Sequence, residues 1–526
     1  MSFADRIAGG VSLLTIRLVA YQVAGLGVAI ILLRSLGPDD FGLYSMAVAL
    51  AYLTAVATGN MEDGVRRFLP EYLAADARDE ARALVLISSL VKIWMTVCVA
   101  ACLVAVAAPL ASLLDQPAGF EELLVIASLH VLGSGAEALG QNIFQGMESY
   151  RVPVLVTGVG GVGALVVAIL VAVLGLDLAT TFLLLASVRL LFAVVLLGWA
   201  LVRVRRRLRQ PGSTLPSRST SWVVGVRVLR FALPVWGAQW TFAVYHQAAK
   251  LILGVVTTPA VVGYFTLAKL VLSHANNLYT QVPSALLPAL STRLARRGAD
   301  SVVDTVSRFV PWIHAASVIA TAGLFLFAPE IVALFGGEDY AAAVPALRLL
   351  SLQLVIQLPS SIWGLLYHTH ERTLRSMWMH IARALALTLL LLLLTGPFGA
   401  VGASAAELAS FAVILAFRIA DIPHVFGVSR RLLSSLMLRA TLATGLVLGA
   451  GWLAGMAPHP VASFTLRMVV LGLAPLALVA TGSLRARDLD YAEGAALTAR
   501  PLDALRRPVL AYLRVLMPAG RGGGAG

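Results

Sequence analysis

Fourteen apolar stretches of about twenty residues each run through the chain, at 11–33, 41–59, 83–107, 123–143, 152–174, 178–201, 231–256, 261–278, 309–327, 343–366, 377–395, 401–417, 438–456 and 464–483. An α-helix needs about 20 mostly apolar residues to cross the hydrocarbon core of a bilayer, and a helix satisfies its own backbone there. The pattern therefore predicts an all-α polytopic membrane protein with about 14 transmembrane helices. Composition agrees: 59% of the 526 residues are hydrophobic and 13% are charged, against about 25% charged in a soluble domain.

Short loops rich in Lys and Arg stay in the cytoplasm. With the N-terminus inside, thirty of the forty cations fall in cytoplasmic loops and termini, nine in spans and one, Arg34, outside. A span missed or invented in mid-chain would scramble this asymmetry. Both termini are thus expected in the cytoplasm of a multi-pass protein of the cytoplasmic membrane. The net charge of +13 becomes a topology signal, and no separate basic domain points to nucleic acid. The opening run after Arg6 is too long for a signal peptide and reads as the first helix. Cys98 and Cys102, one helical turn apart, suit neither a disulfide nor a metal site.

The basic stretch 203–230, with R-V-R-R-R-L-R-Q-P-G at its start, separates the first six spans from the next six. It reads as a cytoplasmic linker. An N-terminal lobe at 1–202 and a C-terminal lobe at 231–430 are expected, followed by a helix pair at 431–484 and a cytoplasmic tail at 485–526. An internal repeat supports the division. P-D-D-F-G-L-Y-S-M-A begins at Pro38 and P-A-V-V-G-Y-F-T-L-A at Pro259, an offset of 221 residues. Repeated halves commonly enclose a path near the membrane midplane.

No P-loop and no H-E-x-x-H motif occurs, so neither ATP hydrolysis nor zinc-protease chemistry is indicated. The loops are too short for an extramembrane catalytic domain. The chemistry-bearing residues lie inside the spans, where a charge is costly and faces a bundle interior or a wet cavity. Arg348, Arg439 and Arg467 stand near span ends and can reach the headgroups. Lys92, Arg189 and Arg383 lie deeper, where they either pair with Glu137 or Glu407, the two carboxylates well inside spans, or serve a functional role. A carboxyl group there also suits coupling to H+ or Na+.

Polar residues recur at helical spacing on two spans. Gln239, His246 and Lys250 share a face of the seventh; Thr266, Lys269, Ser273, Asn276 or Asn277 and Thr280 share one of the eighth. Arg17 precedes Tyr21 and Gln22 on the first. Together they predict a cationic cavity wall suited to an anionic substrate such as a pyrophosphate, the substrate-binding set being Arg17, Lys250, Lys269, His246, Gln239, Asn276 and Asn277. No cofactor or metal is expected.

The stretch L-R-S-L-G-P-D-D-F-G-L-Y-S-M-A, which begins at Leu33, and R-R-F-L-P-E-Y, which begins at Arg66, resemble the opening of the bacterial polysaccharide-export flippases (Wzx type). These belong to the multidrug/oligosaccharidyl-lipid/polysaccharide exporter superfamily. The resemblance implies two six-helix lobes around a cavity lined by spans one, two, seven and eight. It also implies alternating access and translocation of undecaprenyl-pyrophosphate-linked glycans for O-antigen or exopolysaccharide biosynthesis. The competing expectations are a cation-coupled drug exporter of the same fold and, from another class, a membrane-embedded polymerase or glycosyltransferase.

Overall fold

The computed structural model describes the backbone of residues 3–208, 216–370 and 372–485 with single residues at 488, 511 and 514. Side chains are described from residue 22 onward, apart from scattered positions between 238 and 295 and at 373. The Arg17 side chain, linker residues 209–215 and almost all of the tail lie outside the described residues. The helices are α1 (Phe3–Ala57), α2 (Met61–Ala74), α3 (Arg78–Ala105), α4 (Ala107–Leu113), α5 (Phe120–Gly146), α6 (Arg151–Leu174), α7 (Leu178–Leu208) and α8 (Arg218–Val256). They continue as α9 (Pro259–Arg297), α10 (Ala299–Leu326), α11 (Ala328–Gly336), α12 (Val344–Thr369), α13 (Thr373–Phe426), α14 (Arg430–Gly455) and α15 (Pro460–Ala480). No strand occurs among the described residues, so the all-α expectation holds.

Among the described residues, ten segments are long and apolar enough to cross a membrane. Two of the ten hold a pair of the predicted spans each. At 1.5 Å per residue, the 55 residues of α1 would extend about 80 Å, well over twice the hydrocarbon thickness of about 30 Å. The chain breaks at Gly37, whose φ of 72° is left-handed, and Pro38 starts the next helical segment. This is an arrangement that glycine and proline favour. In α13 the break falls at Gly399, with φ 53°. The seventh and eighth predicted spans lie on α8 and α9, so every predicted stretch falls on a helix.

The chain forms two compact units. The first comprises residues 1–266 and 335–339. Its core joins α2, α3, α5, α7 and α8 through Phe68, Leu84, Leu139, Phe144, Leu196 and Val228. Gly64 of α2 lets α8 approach, since a Cβ there would stand 2.6 Å from a Val228 methyl.

Within this unit the two copies of the repeat pack on each other reciprocally. A Cβ at Gly42 would run into the Pro259 carbonyl, 2.6 Å from its carbon, and one at Gly263 would run into the Pro38 carbonyl, 3.1 Å from its carbon. Asp39 completes the seam by accepting a hydrogen bond from the Ala260 backbone N–H, 3.2 Å away. The spacing Pro-x-x-x-Gly thus has a physical reason: each glycine clears one turn of helix for the other copy's carbonyl, a close approach that small residues permit.

The second unit comprises residues 267–334 and 340–526. Here α12 packs between α10 and α13, while α14 and α15 pair and dock on α10. Small residues make that docking close. Ala440, Ala443, Val447 and Gly451 line one face of α14 against Ala315, Val318, Ala322 and Leu326 of α10. Elsewhere the helices present apolar side chains outward. Leu385, Leu389 and Leu392, at helical spacing on α13, are exposed, as expected of a face that lipid covers. Exposed Trp94, Trp222, Trp378 and Trp452 are of the type enriched at membrane interfaces.

Candidate functional site

Three groups of charged side chains sit among the helices, and their geometry separates structural ties from candidate binding groups. In the first, Lys92 of α3 donates to Glu62 Oε1 at 2.8 Å, to Thr58 Oγ1 at 2.8 Å and to the Gly59 carbonyl at 2.6 Å. An ammonium has three protons to give, and all three are used. Both side chains of the ion pair are buried. Burial pushes the Glu62 carboxyl up from its ordinary value, and the facing Lys92 charge opposes that push. Lys92 therefore ties α3 to the turn between α1 and α2 rather than pairing with Glu137 or Glu407.

The second group borders a cavity of about 230 Å³ in the first unit, walled by residues of α1, α5, α6 and α7. Arg189 of α7 donates to Glu137 Oε2 of α5 at 3.3 Å and contacts His130 Nε2 at 2.9 Å. Gln141, one turn along, donates to Glu137 Oε1 at 2.8 Å. A guanidinium only donates, so the facing ring nitrogen of His130 accepts and the imidazole is neutral. Of the pairings that the sequence left open for Arg189, with Glu137 or with Glu407, this is the first. Gly25, Gly160 and Gly161 leave open the space this trio faces.

The third group lies in the second unit, where Lys269 of α9 is ion-paired with Glu407 of α13. At the side chain Glu407 is 2% exposed and Lys269 20%, so the carboxylate is sealed while the lysine stays partly exposed. Arg383, also buried, approaches from the first half of α13. Its Nε donates to Ser410 Oγ at 3.4 Å, and its guanidinium lies 3.3 Å from the centroid of Phe411. Asn276 and Asn277 follow on α9, half-buried. On α8, in the first unit, Gln239 is exposed and Lys250 is half-buried. His246 stacks with Phe242 and Tyr245, at centroid separations of 4.1 and 5.0 Å.

The cations near span ends are engaged with helix termini. Arg467 grips Glu330 and the Leu326 carbonyl, Arg439 donates to the Gly482 carbonyl at 3.2 Å, and Arg348 lies over Phe325 and Trp452. The R-R-F-L-P-E-Y motif has its own partner. Arg227 of α8 donates to Glu71 at 2.8 Å and to the Tyr72 hydroxyl at 3.1 Å, with its guanidinium 4.5 Å from the Phe68 centroid. The hydrogen bond from Arg227 holds the Glu71 carboxyl below its ordinary value. This clasp is therefore complete above the usual carboxylate range and is lost only as pH falls through the depressed value.

Sequence reasoning passed over Glu62, which stands just beyond a span, and Arg418, one residue past the twelfth. Arg418 is buried and donates to the carbonyl and hydroxyl of Ser360 on α12. A signal for it was available: an arginine followed by Asp421 one turn later, at the end of an apolar run.

Residues 31–345 match the model of a family described as polysaccharide biosynthesis protein. The chain belongs to this family. Its solved structural neighbours are membrane transporters. The lipid II flippase MurJ in an inward closed conformation aligns at TM-score 0.69 with 12% identity, over 90% of this chain and 99% of MurJ. An inward-facing multidrug resistance MATE family transporter of the MOP superfamily aligns at TM-score 0.65 with 16% identity, over 80% of this chain and 99% of that one. At such identities the likeness is one of fold, which this member of the polysaccharide family shares with both. A search of curated proteins by sequence finds no match.

Proposed function

We propose that this protein is a flippase for a lipid-linked oligosaccharide, carrying an anionic polyprenyl-pyrophosphate glycan across the cytoplasmic membrane by alternating access. The observation that carries the reading is the family match over residues 31–345 in a chain with the fold of a lipid II flippase. The MATE likeness fits a drug exporter equally as fold, but the family match favours the glycan. The N-terminal lobe at 1–202 and the C-terminal lobe at 231–430 are the moving bodies in this reading, with both termini in the cytoplasm.

The pyrophosphate is held by Arg17, Lys250 and Lys269, with His246, Gln239, Asn276 and Asn277 as polar neighbours, while the lipid tail stays in the bilayer. Glu137 and Glu407 are the candidates for coupling to H+ or Na+. The protein makes and breaks no covalent bond in this cycle. Each charge-assisted contact to the pyrophosphate contributes about 1.5–3 kcal/mol, and about 1.4 kcal/mol is tenfold in affinity.

Arg17→Ala, Lys250→Ala and Lys269→Ala are each expected to cut surface glycan in cells about tenfold or more, at unchanged membrane levels of the protein. Lys→Arg exchanges should be milder, because the charge survives. Normal surface glycan in all three alanine variants at normal expression would contradict the cationic site.

A further inference from the structure

We infer that the Glu407 carboxylate occupies, on Lys269, the place of the substrate's phosphate, so that cargo and a proton bind together. The inference rests on the flippase reading and concerns how its site is loaded. Lys269 and Glu407 are paired, the carboxylate buried and the lysine side chain partly exposed. A phosphate reaching the lysine competes with a carboxylate already seated on the same ammonium.

If the lysine swings to the phosphate, Glu407 loses its partner in a position closed to water. A buried charge stripped of its counter-ion is strongly unfavourable. A proton on Glu407 removes that penalty, and the incoming anion promotes the protonation by repelling the carboxylate's charge. Binding of the two is therefore reciprocal, each favouring the other. Proton loss restores the ion pair and ejects the phosphate.

The charged neighbourhood is compatible with this exchange. Arg383 acts on Glu407 electrostatically, so a cation remains near the site in both states. Asp421, the other carboxylate on α13, is committed to Tyr367 and Arg375. The other histidines and arginines on these helices are His274, Arg293, Arg296 and Arg297 on α9, Arg348 and His368 on α12, His380, Arg418 and His424 on α13, and Arg430, Arg431 and Arg439 on α14. Four of these are histidines, each with a ring nitrogen that can take up a proton. A test must therefore separate them from Glu407.

The test uses the purified full chain and a soluble short-chain prenyl pyrophosphate sugar, a diester whose charge is constant across the neutral pH range. For the wild type, affinity should rise about tenfold per pH unit lowered wherever one proton is taken up with each ligand. Glu407→Gln leaves every histidine in place. It should bind about tenfold or more tightly at alkaline pH, with the Glu407-dependent slope gone. Lys269→Gln should abolish that gain when combined with Glu407→Gln, and this charge-neutral double variant keeps the fold testable if a single variant is unstable. Wild-type affinity and slope in Glu407→Gln, or a gain that persists in the double variant, would overturn the inference and leave the flippase reading intact. No binding by either wild type or Glu407→Gln, both folded, would overturn both.

Discussion

Replacing Lys92 by Met should destabilise the protein by about 3–5 kcal/mol, the usual cost of removing one member of a buried ion pair. Lys92 is 4% and Glu62 7% exposed at the side chain, so no solvent reaches the carboxylate left behind. Thr58 and Gly59 lose their donor as well. The double variant Lys92→Met/Glu62→Gln should recover much of that loss, because it leaves no uncompensated charge. Thermal unfolding in detergent, read alongside transport, checks both. Activity in the folded double variant separates this tie from a substrate-binding role. A Lys92→Met protein as stable as wild type would mean that water reaches the pair.

The seam between the repeat copies should also be intolerant of change, for steric rather than electrostatic reasons. Gly42→Ala drives a methyl group into the Pro259 carbonyl, and Gly263→Ala drives one into that of Pro38. The obstacle in each case is backbone, which cannot rotate away. Overpacking of this kind costs about 1–3 kcal/mol and sometimes more. Gly158→Ala in α6 is the control, since nothing lies within 4 Å of a Cβ there, and alanine is the better helix former by up to about 1 kcal/mol. Melting temperatures should fall for the two seam variants and stay or rise for the control. Equal behaviour of all three would show that the repeat copies do not meet.

The helices were legible because lipid imposes a simple rule, about twenty apolar residues per crossing, and the chain obeys it with little exception. The repeat could be read from Pro38 and Pro259, but its purpose could not. Nothing in either copy says that its glycine faces the other copy's carbonyl 221 residues away. Which buried charges pair was legible only as a choice of three cations, Lys92, Arg189 and Arg383, and two carboxylates, Glu137 and Glu407. Arg189 takes Glu137. The carboxylates weighed for Lys92 lie deep in spans, yet it turns to Glu62 at a helix start, because its long side chain reaches the turn after α1. Lys269 was expected to face substrate, and no carboxylate partner was named for it. Its ion pair with Glu407 depends on how α9 and α13 are rotated about their axes, which periodicity within each helix does not fix.

The most direct measurement of the central claim is lipid translocation by the purified chain in liposomes. The probe is a polyprenyl-pyrophosphate oligosaccharide with a fluorescent sugar, distributed over both leaflets and challenged with a membrane-impermeant quencher. Wild-type protein should carry the inner-leaflet probe outward, so that quenching proceeds past the outer-leaflet fraction towards completion, and Lys269→Ala should halt it at that fraction. Quenching that stops at the outer leaflet with active wild-type protein, together with export of cationic drugs from the same liposomes, would contradict the flippase account.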